Sequence, residues 1–95
     1  MTPRRVVHVF VAGRVQGVGY RAWTEATARE LGLDGWVRNR ADGRVEALFA
    51  GAPAAIDGML QACRRGPRLA RVDGMSIVDT KDCPRAPGFI CLPTL

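Results

Sequence analysis

A glycine-rich stretch that ends in an arginine is the part of this sequence best suited to chemistry. Gly13-Arg14-Val15-Gln16-Gly17-Val18-Gly19-Tyr20-Arg21 follows an apolar segment and precedes residues that favour a helix. Glycines at this density let successive backbone N–H groups point into one concavity, where they bind an anion. The helix that follows adds the unpaired N–H groups of its first turn and the positive end of its dipole. These features predict a phosphate-binding cradle.

Arg21 and Asn39 are the polar side chains that stand out around this cradle. A cation in the first turn of a helix opposes the helix dipole at a cost of about 0.3–1 kcal/mol, and a bound anion would explain its presence. Asn39 ends a predicted strand, where asparagine is depleted. Its amide either prepares the following turn or orients a water molecule, because it donates and accepts hydrogen bonds at once. The residues alone leave both interpretations of Asn39 open.

Other kinds of catalytic site find little support. No Gly-Lys-Ser/Thr follows the glycines, so a nucleotide–magnesium site is not indicated, and no cluster at metal-ligand spacing points to a metal enzyme. His8 lies on the order of 20 Å along the first strand from the glycine turn, and we interpret it as a structural or surface residue. Cys63 and Cys91 are predicted to be small buried hydrophobic residues and Cys83 an exposed thiol, none of them catalytic.

The composition is that of a single soluble domain covering residues 1–95. The chain is 47% hydrophobic and 24% charged, with a formal net charge of +5 that comes almost entirely from arginine. This charge suits an anionic partner, but nucleic acid, phosphorylated metabolites and acidic proteins fit equally, as does a purely solubilising role. No apolar run approaches the roughly 20 residues of a membrane span, and the start does not read as a secretion signal. We expect a cytoplasmic monomer, and the many arginines and alanines indicate a bacterial source.

The hydrophobic pattern predicts a strand, a helix, two strands, a helix, a strand and a short extra strand. The strands are placed at 6–12, 33–40, 44–50, 69–80 with a bend at Asp73-Gly74, and 88–92; the helices run from 21 to 31 and from about 53 to 65. Trp23, Thr27 and Leu31 are predicted to share the buried face of the first helix. With right-handed crossovers, this order gives an α+β fold, the ferredoxin-like α/β sandwich, with a mostly antiparallel sheet and both helices on one face.

Two separated motifs resemble the signature regions of the acylphosphatases. The first is the glycine-rich stretch from Gly13 to Arg21. The second is Leu31-Gly32-Leu33-Asp34-Gly35-Trp36-Val37-Arg38-Asn39, followed by Asp42-Gly43-Arg44-Val45-Glu46. The likeness runs in register from about Val6 to Phe49 and continues more weakly beyond. It implies a small, cofactor-free enzyme with the ferredoxin-like fold that hydrolyses carboxyl–phosphate bonds.

The resemblance also implies roles for individual residues. Arg21 matches the family's phosphate-binding arginine, and Asn39 matches its water-orienting asparagine. The expected phosphate-binding residues are Val15, Gln16, Gly17, Val18, Gly19, Tyr20 and Arg21. The expected partners are a small acyl phosphate as substrate and inorganic phosphate or sulfate as ligands, with no metal, nucleic acid or membrane. Arg40 follows Asn39 where smaller or apolar residues are common, and the sequence does not identify the acyl group.

Two alternatives to an enzyme stay open at this stage. A non-catalytic phosphate-binding regulatory domain would keep the cradle without hydrolysis. A ferredoxin-like nucleic-acid-binding module would use the basic charge and aromatic residues such as Phe10 and Phe49 on neighbouring central strands, although the aromatic-rich motif typical of that class is absent.

Overall fold

The computed structural model describes residues 4–95 and places them in a five-stranded sheet with two helices. The strands are β1 (Arg5–Arg14), β2 (Asp34–Asn39), β3 (Val45–Gly51), β4 (Arg71–Asp79) and β5 (Phe89–Cys91), and the helices are α1 (Tyr20–Glu30) and α2 (Pro53–Arg65). The order across the sheet is β4-β1-β3-β2-β5. Only the pairing of β5 with β2 is parallel among these described strands. The predicted ferredoxin-like sandwich with a mostly antiparallel sheet is confirmed.

The hydrophobic core lies between the sheet and the two helices. Along β1, Val7, Val9 and Val11 alternate toward this side, as strand geometry requires, and are fully buried. Ile56 and Met59 of α2 pack into the same cluster. Both helices therefore cover one face of the sheet, as the sequence predicts.

The opposite face of the sheet carries its own aromatic and charged side chains. Phe10 lies on this face, with the guanidinium of Arg44 4.2 Å from its ring centre. Phe49 points into the core, where its ring stacks on Phe89 at 5.5 Å. Strands β1 and β3 are neighbours, as predicted, but the rings of Phe10 and Phe49 lie on opposite faces. They do not form the shared stacking surface that a nucleic-acid-binding sheet needs.

Helix α1 buries a different face from the predicted one. The buried residues are Tyr20, Thr24 and Ala28. The predicted face of Trp23, Thr27 and Leu31 was wrong, because Trp23 and Thr27 are only partly buried and Leu31 is exposed. The hydroxyl of Thr24 donates to the backbone oxygen of Tyr20 at 2.8 Å, so this polar side chain is buried with its hydrogen bond satisfied. Trp23 packs edge-on against the Tyr20 ring at the margin of the core.

A bulge in β4 redirects the end of β1 toward the glycine-rich loop. Ala12 pairs with Gly74 and Gly13 pairs with Val72, which leaves Asp73 as the extra residue. The predicted irregularity at Asp73-Gly74 is therefore confirmed. Gly13 has a φ of 129°, and a Cβ there would lie 2.2 Å from the backbone oxygen of Arg71. Only glycine fits at this close approach.

The cysteines follow the sequence prediction at two of three positions. Cys63 is buried, and its burial raises the pKa of the thiol to about 12. Cys83 is exposed, as predicted. The prediction that Cys91 is buried was wrong, because β5 is a three-residue strand at the sheet edge and the residue is exposed. Among residues 4–95, neither helix has the length and hydrophobicity needed to cross a membrane.

Candidate active site

A cleft of about 530 Å³ opens where the β1–α1 loop, the end of β2 and the chain after β5 meet. The lining residues are Val15, Gln16, Gly17, Gly19, Tyr20, Arg21, Ala22, Asn39, Cys91, Leu92 and Pro93. The structure thus gathers almost every residue singled out in the sequence into one concavity. Val18 is the exception, because it is partly buried and packs against the core.

The backbone of the β1–α1 loop has unused hydrogen-bond donors. No backbone N–H of residues 15–22 donates to another residue within the described range, and the first bond of α1 runs from the N–H of Trp23 to the oxygen of Gly19 at 3.0 Å. Gly17 and Gly19 have φ angles of 71° and 78°, which favour glycine and allow the tight path of the loop. The first turn of α1 contains no acidic residue to neutralise the helix dipole. Unused donors at the positive end of a helix dipole make the loop suited to an anion.

The guanidinium of Arg21 is held beside this loop by the chain after β5. Its Nη1 donates to the backbone oxygen of Leu92 at 3.2 Å. An arginine side chain has five N–H donors, so this bond orients the group and leaves donors for a ligand. Arg21 belongs to the first turn of α1, and its neighbours Tyr20 and Ala22 also line the cleft.

Asn39 is the last residue of β2 and lies on the helix-facing side of the sheet, in alternation with Val37. Its Oδ1 atom is buried and, among residues 4–95, has no hydrogen-bond partner. A buried acceptor left unpaired costs about 1–3 kcal/mol, so such atoms often mark functional sites. The backbone of Asn39 is fixed separately, because its oxygen accepts from the N–H of Leu95 at 3.1 Å. This arrangement suits an amide that binds a water molecule or a substrate.

Gln16 connects the loop to the β2–β3 hairpin. Its Nε2 donates to the backbone oxygens of Arg40 and Arg44 at 2.8 and 2.9 Å. Sequence reasoning placed Gln16 in the cradle through its backbone and missed this role of the side chain. A glutamine inside a glycine-rich loop indicates that its side-chain amide makes a hydrogen bond. The sequence does not reveal the acceptors, because they are backbone oxygens.

The segment from Leu92 to Leu95 was also missed. Besides the contacts to Arg21 and Asn39, the backbone oxygen of Leu95 accepts from the N–H of Ala41 at 2.9 Å. The segment contributes only backbone atoms to these contacts, and a pattern of side-chain types cannot predict them. The segment thus contacts both predicted catalytic residues.

His8 lies away from the cleft, on the face of the sheet opposite the helices. Its Nε2 is 2.6 Å from Oε2 of the buried Glu46. This placement agrees with the interpretation of His8 as a structural or surface residue. Within the described part of the chain, no three His, Cys, Asp or Glu residues are grouped in a way that would hold a metal ion.

Comparison with known proteins identifies the family of this chain. The sequence profile described as Acylphosphatase matches residues 7–90. This chain belongs to the acylphosphatase family. The family predicted from the two motifs is confirmed, and with it the expected class of enzyme, a hydrolase.

Bacterial acylphosphatases match this chain over most of its length. A protein named Acylphosphatase from Rhodospirillum rubrum is 56% identical over 87 residues, which cover 92% of this chain and 94% of that protein. One from Rhizorhabdus wittichii is 50% identical over 94 residues, covering 98% and 94% of the two chains. The crystal structure of acylphosphatase from Bacillus subtilis superposes with a TM-score of 0.88 at 33% identity and covers 93% of this chain and 98% of that one.

Proposed function

We propose that this acylphosphatase hydrolyses the carboxyl–phosphate bond of a small acyl phosphate to a carboxylate and inorganic phosphate, with Arg21 and Asn39 as its catalytic residues. The observation that carries the proposal is that one cleft joins the unused N–H groups of residues 15–22, the Arg21 guanidinium and the unpaired Oδ1 of Asn39. Membership of the acylphosphatase family supports the reaction.

The phosphoryl group occupies the glycine-rich loop. The N–H groups of residues 15–20 and the forked guanidinium of Arg21 donate to its three outer oxygens. Phosphoryl transfer depends mainly on positioning and on stabilising charge at these oxygens, and donors fixed in advance supply both. Inorganic phosphate or sulfate would bind in the same place.

The attacking water is held by Asn39. Its Oδ1 accepts a hydrogen bond from the water. This bond orients the water so that a lone pair on the water oxygen points at phosphorus, on the side opposite the acyl oxygen. The new bond forms between the water oxygen and phosphorus as the bond to the acyl oxygen breaks, and the proton of the water passes to a phosphate oxygen. The leaving group is a carboxylate, which is weakly basic and needs no acid from the protein. The mechanism therefore requires neither a metal ion nor a cofactor.

Hydrolysis of benzoyl phosphate in the presence of a chelator tests the proposal. Arg21→Ala is expected to lose both substrate binding and turnover, while Asn39→Ala mainly lowers kcat. Arg64→Ala, at an exposed position on α2, is the matched control and should behave like the native chain. Equally mild effects of Arg21→Ala and Asn39→Ala on both parameters would contradict the assigned roles. Phosphate binding without any turnover would favour a regulatory anion-binding domain instead.

The proposal includes a single-domain monomer, residues 1–95, in the cytoplasm. Every group that the mechanism uses comes from one chain. The three cysteines are free, and unpaired thiols are typical of a reducing compartment. Light scattering after gel filtration tests the monomer, because a dimer would double the mass.

A further inference from the structure

A second cavity lies on the face of the sheet opposite the helices. Its volume is about 670 Å³, which is within the range of small-molecule sites. The strands contribute His8, Trp36, Leu48 and Val78 to its lining, and most residues of the segment 79–88 between β4 and β5 line it as well. Among the described residues, Leu92 is the single one that lines both this cavity and the active-site cleft. The outer cavity is therefore a separate place for a ligand.

Apolar side chains that stay in contact with water are concentrated in this cavity. Val78 is 57% exposed and Ile90 is 52% exposed, and both belong to the lining. Trp36, also in the lining, is partly buried and packs against a small apolar cluster that includes Leu48. A ligand that covers these groups gains by removing apolar surface from water, and a tryptophan at the wall favours an aromatic ring.

The segment between β4 and β5 is fixed at both ends by hydrogen bonds. At its start, the N–H of Thr80 donates to the oxygen of Val6 at 3.0 Å. At its end, the N–H of Gly88 donates to Oδ1 of Asp34 at 2.7 Å. Two of the residues between these ends are prolines, which restrict the backbone further. The cavity is thus largely formed before a ligand enters, which lowers the entropic cost of binding.

His8 provides a polar group in this mostly apolar lining. Its Nε2 is 2.6 Å from Oε2 of Glu46 and carries the proton that the carboxylate accepts. Within residues 4–95, Nδ1 of His8 has no hydrogen-bond partner. In the neutral ring this nitrogen is an acceptor. A ligand with an O–H or N–H group can therefore donate to it.

The charged residues of the lining favour a cation. Three carboxylates, those of Glu46, Asp79 and Asp82, line the cavity with one arginine, Arg85, although the whole chain has a net charge of +5. Asp79 bonds to Arg5 through Oδ1 alone, at 2.9 Å. Asp82 makes no ion pair within the described part of the chain. Carboxylate oxygens consequently stay available for a positively charged group of a ligand.

We propose that this cavity is a second ligand-binding site and that it binds a small aromatic amine. The aromatic ring packs against Trp36 and Ile90, and the ammonium group lies near the carboxylate of Asp82. A hydroxyl or N–H group on the ligand donates to Nδ1 of His8. The site goes beyond the proposed hydrolysis, because it uses none of the residues assigned to that reaction.

Three probes with the same phenol ring test the ligand class: tyramine, tyrosol and 4-hydroxyphenylacetate. Tyramine should shift the indole N–H signal of Trp36 in NMR spectra, with a dissociation constant at or below about 1 mM. The signal of Trp23 should not move, because that residue packs against Tyr20 on the helix side. We expect the anionic probe to bind at least about threefold more weakly than tyramine, with uncharged tyrosol between them. Equal affinity for the amine and the acid overturns the proposed ligand class.

Variants at exposed positions place the ligand. Ile90→Ala should weaken tyramine binding by about threefold or more, because it removes apolar surface from the wall. The matched control is Leu69→Ala, at an apolar residue that is 69% exposed and does not line the cavity. Asp82→Asn should reduce the preference for tyramine over tyrosol and leave tyrosol binding unchanged. Equal effects of Ile90→Ala and Leu69→Ala would show that the ring does not bind here.

Inorganic phosphate separates this site from the active-site cleft. A saturating concentration of phosphate should change the dissociation constant of tyramine by less than about twofold, because the two cavities hold different ligands. Displacement of tyramine by phosphate would place the probe in the active-site cleft and overturn the inference. The absence of any Trp36 shift at about 10 mM tyramine would overturn it as well, since a site of this size should bind such a probe more tightly.

Discussion

The side-chain amide of Gln16 donates to the backbone oxygen of Arg40, with 2.8 Å between Nε2 and the oxygen. A second bond from the same nitrogen reaches the oxygen of Arg44. Arg40 directly follows Asn39, so the amide connects the glycine-rich loop to the strand end that carries the proposed water-orienting residue. This side chain therefore joins the two halves of the site directly.

Gln16→Leu is expected to lower kcat by about tenfold or more while the chain stays folded, because a catalytic group displaced by a fraction of an ångström loses much of its effect. The KM for benzoyl phosphate should change less, since the cradle N–H groups remain. The matched control is Gln61→Leu, at an exposed position on α2. Steady-state kinetics of both variants check the prediction, and a native kcat in Gln16→Leu would contradict it.

Arg21→Lys is expected to remove most of the activity even though the charge is kept. A lysine is a point charge and cannot reproduce the forked geometry of a guanidinium on phosphate oxygens, nor hold the Leu92 oxygen at the same time. The measurement is kcat/KM for benzoyl phosphate, with Arg64→Lys as the control. Near-native activity would show that charge alone is needed at this position.

Glu46→Gln is expected to destabilise the fold by about 1–3 kcal/mol, because the buried carboxylate accepts charged hydrogen bonds and its loss leaves cations without a partner. Its Oε1 lies 2.7 Å from Nε of Arg38 and 3.4 Å from Nη1 of Arg40, and its Oε2 contacts His8. Urea unfolding measures the change in the free energy of unfolding. The control Glu30→Gln, on the exposed end of α1, should stay close to native.

The free energy of unfolding should fall at acid pH as the carboxylate of Glu46 becomes protonated. Burial alone would raise the pKa of Glu46, but hydrogen bonds from Arg38 and His8 outweigh it and hold the pKa below its usual 4.5. The stabilisation is therefore present above about pH 4.5 and is lost as the pH falls through the lower folded-state pKa. Unfolding measured from pH 6 to pH 3 should show this loss in the native chain and a weaker one in Glu46→Gln. If the free energy of unfolding falls equally in the native chain and in Glu46→Gln over this pH range, Glu46 is not the cause of the loss.

Gly35→Ala is expected to destabilise the sheet by about 3 kcal/mol or more, since a Cβ cannot share space with a backbone oxygen and the φ is unfavourable for alanine. Gly35 has a φ of 136°, and its Cβ would lie 1.8 Å from the oxygen of Leu48. Gly74→Ala is the matched control in another strand, because a Cβ there meets nothing within 4 Å. Thermal unfolding of both variants separates the two cases.

The sequence predicted what depends on local patterns and motif spacing. The order of strands and helices along the chain and the bulge at Asp73 follow from local residue patterns. The shared location of Arg21 and Asn39 follows from the resemblance of the two motifs to the acylphosphatases. The misassigned face of α1 has a clear cause. The helix buries Thr24, which a hydrophobic pattern discounts, because its hydroxyl finds a partner one turn away.

The parts that could not be predicted involve partners distant in the chain. Cys91 was predicted to be buried because it lies in a short terminal strand, but that strand forms the edge of the sheet. The bonds from Gln16 to the hairpin and from Arg21 to Leu92 end on backbone oxygens, which every residue has. Nothing in a residue type marks one such oxygen as the partner of a side chain.

The parallel strand β5 has a consequence for the order of events during synthesis and folding. The contact between Arg21 and Leu92 joins residues 71 positions apart, and closing so long a segment is slow. A nascent chain that still lacks β5 and Leu92 would contain the glycine-rich loop and Asn39 but not the hydrogen bond that orients Arg21. Activity should therefore be among the last properties regained after dilution from denaturant, trailing the return of helical and sheet signals.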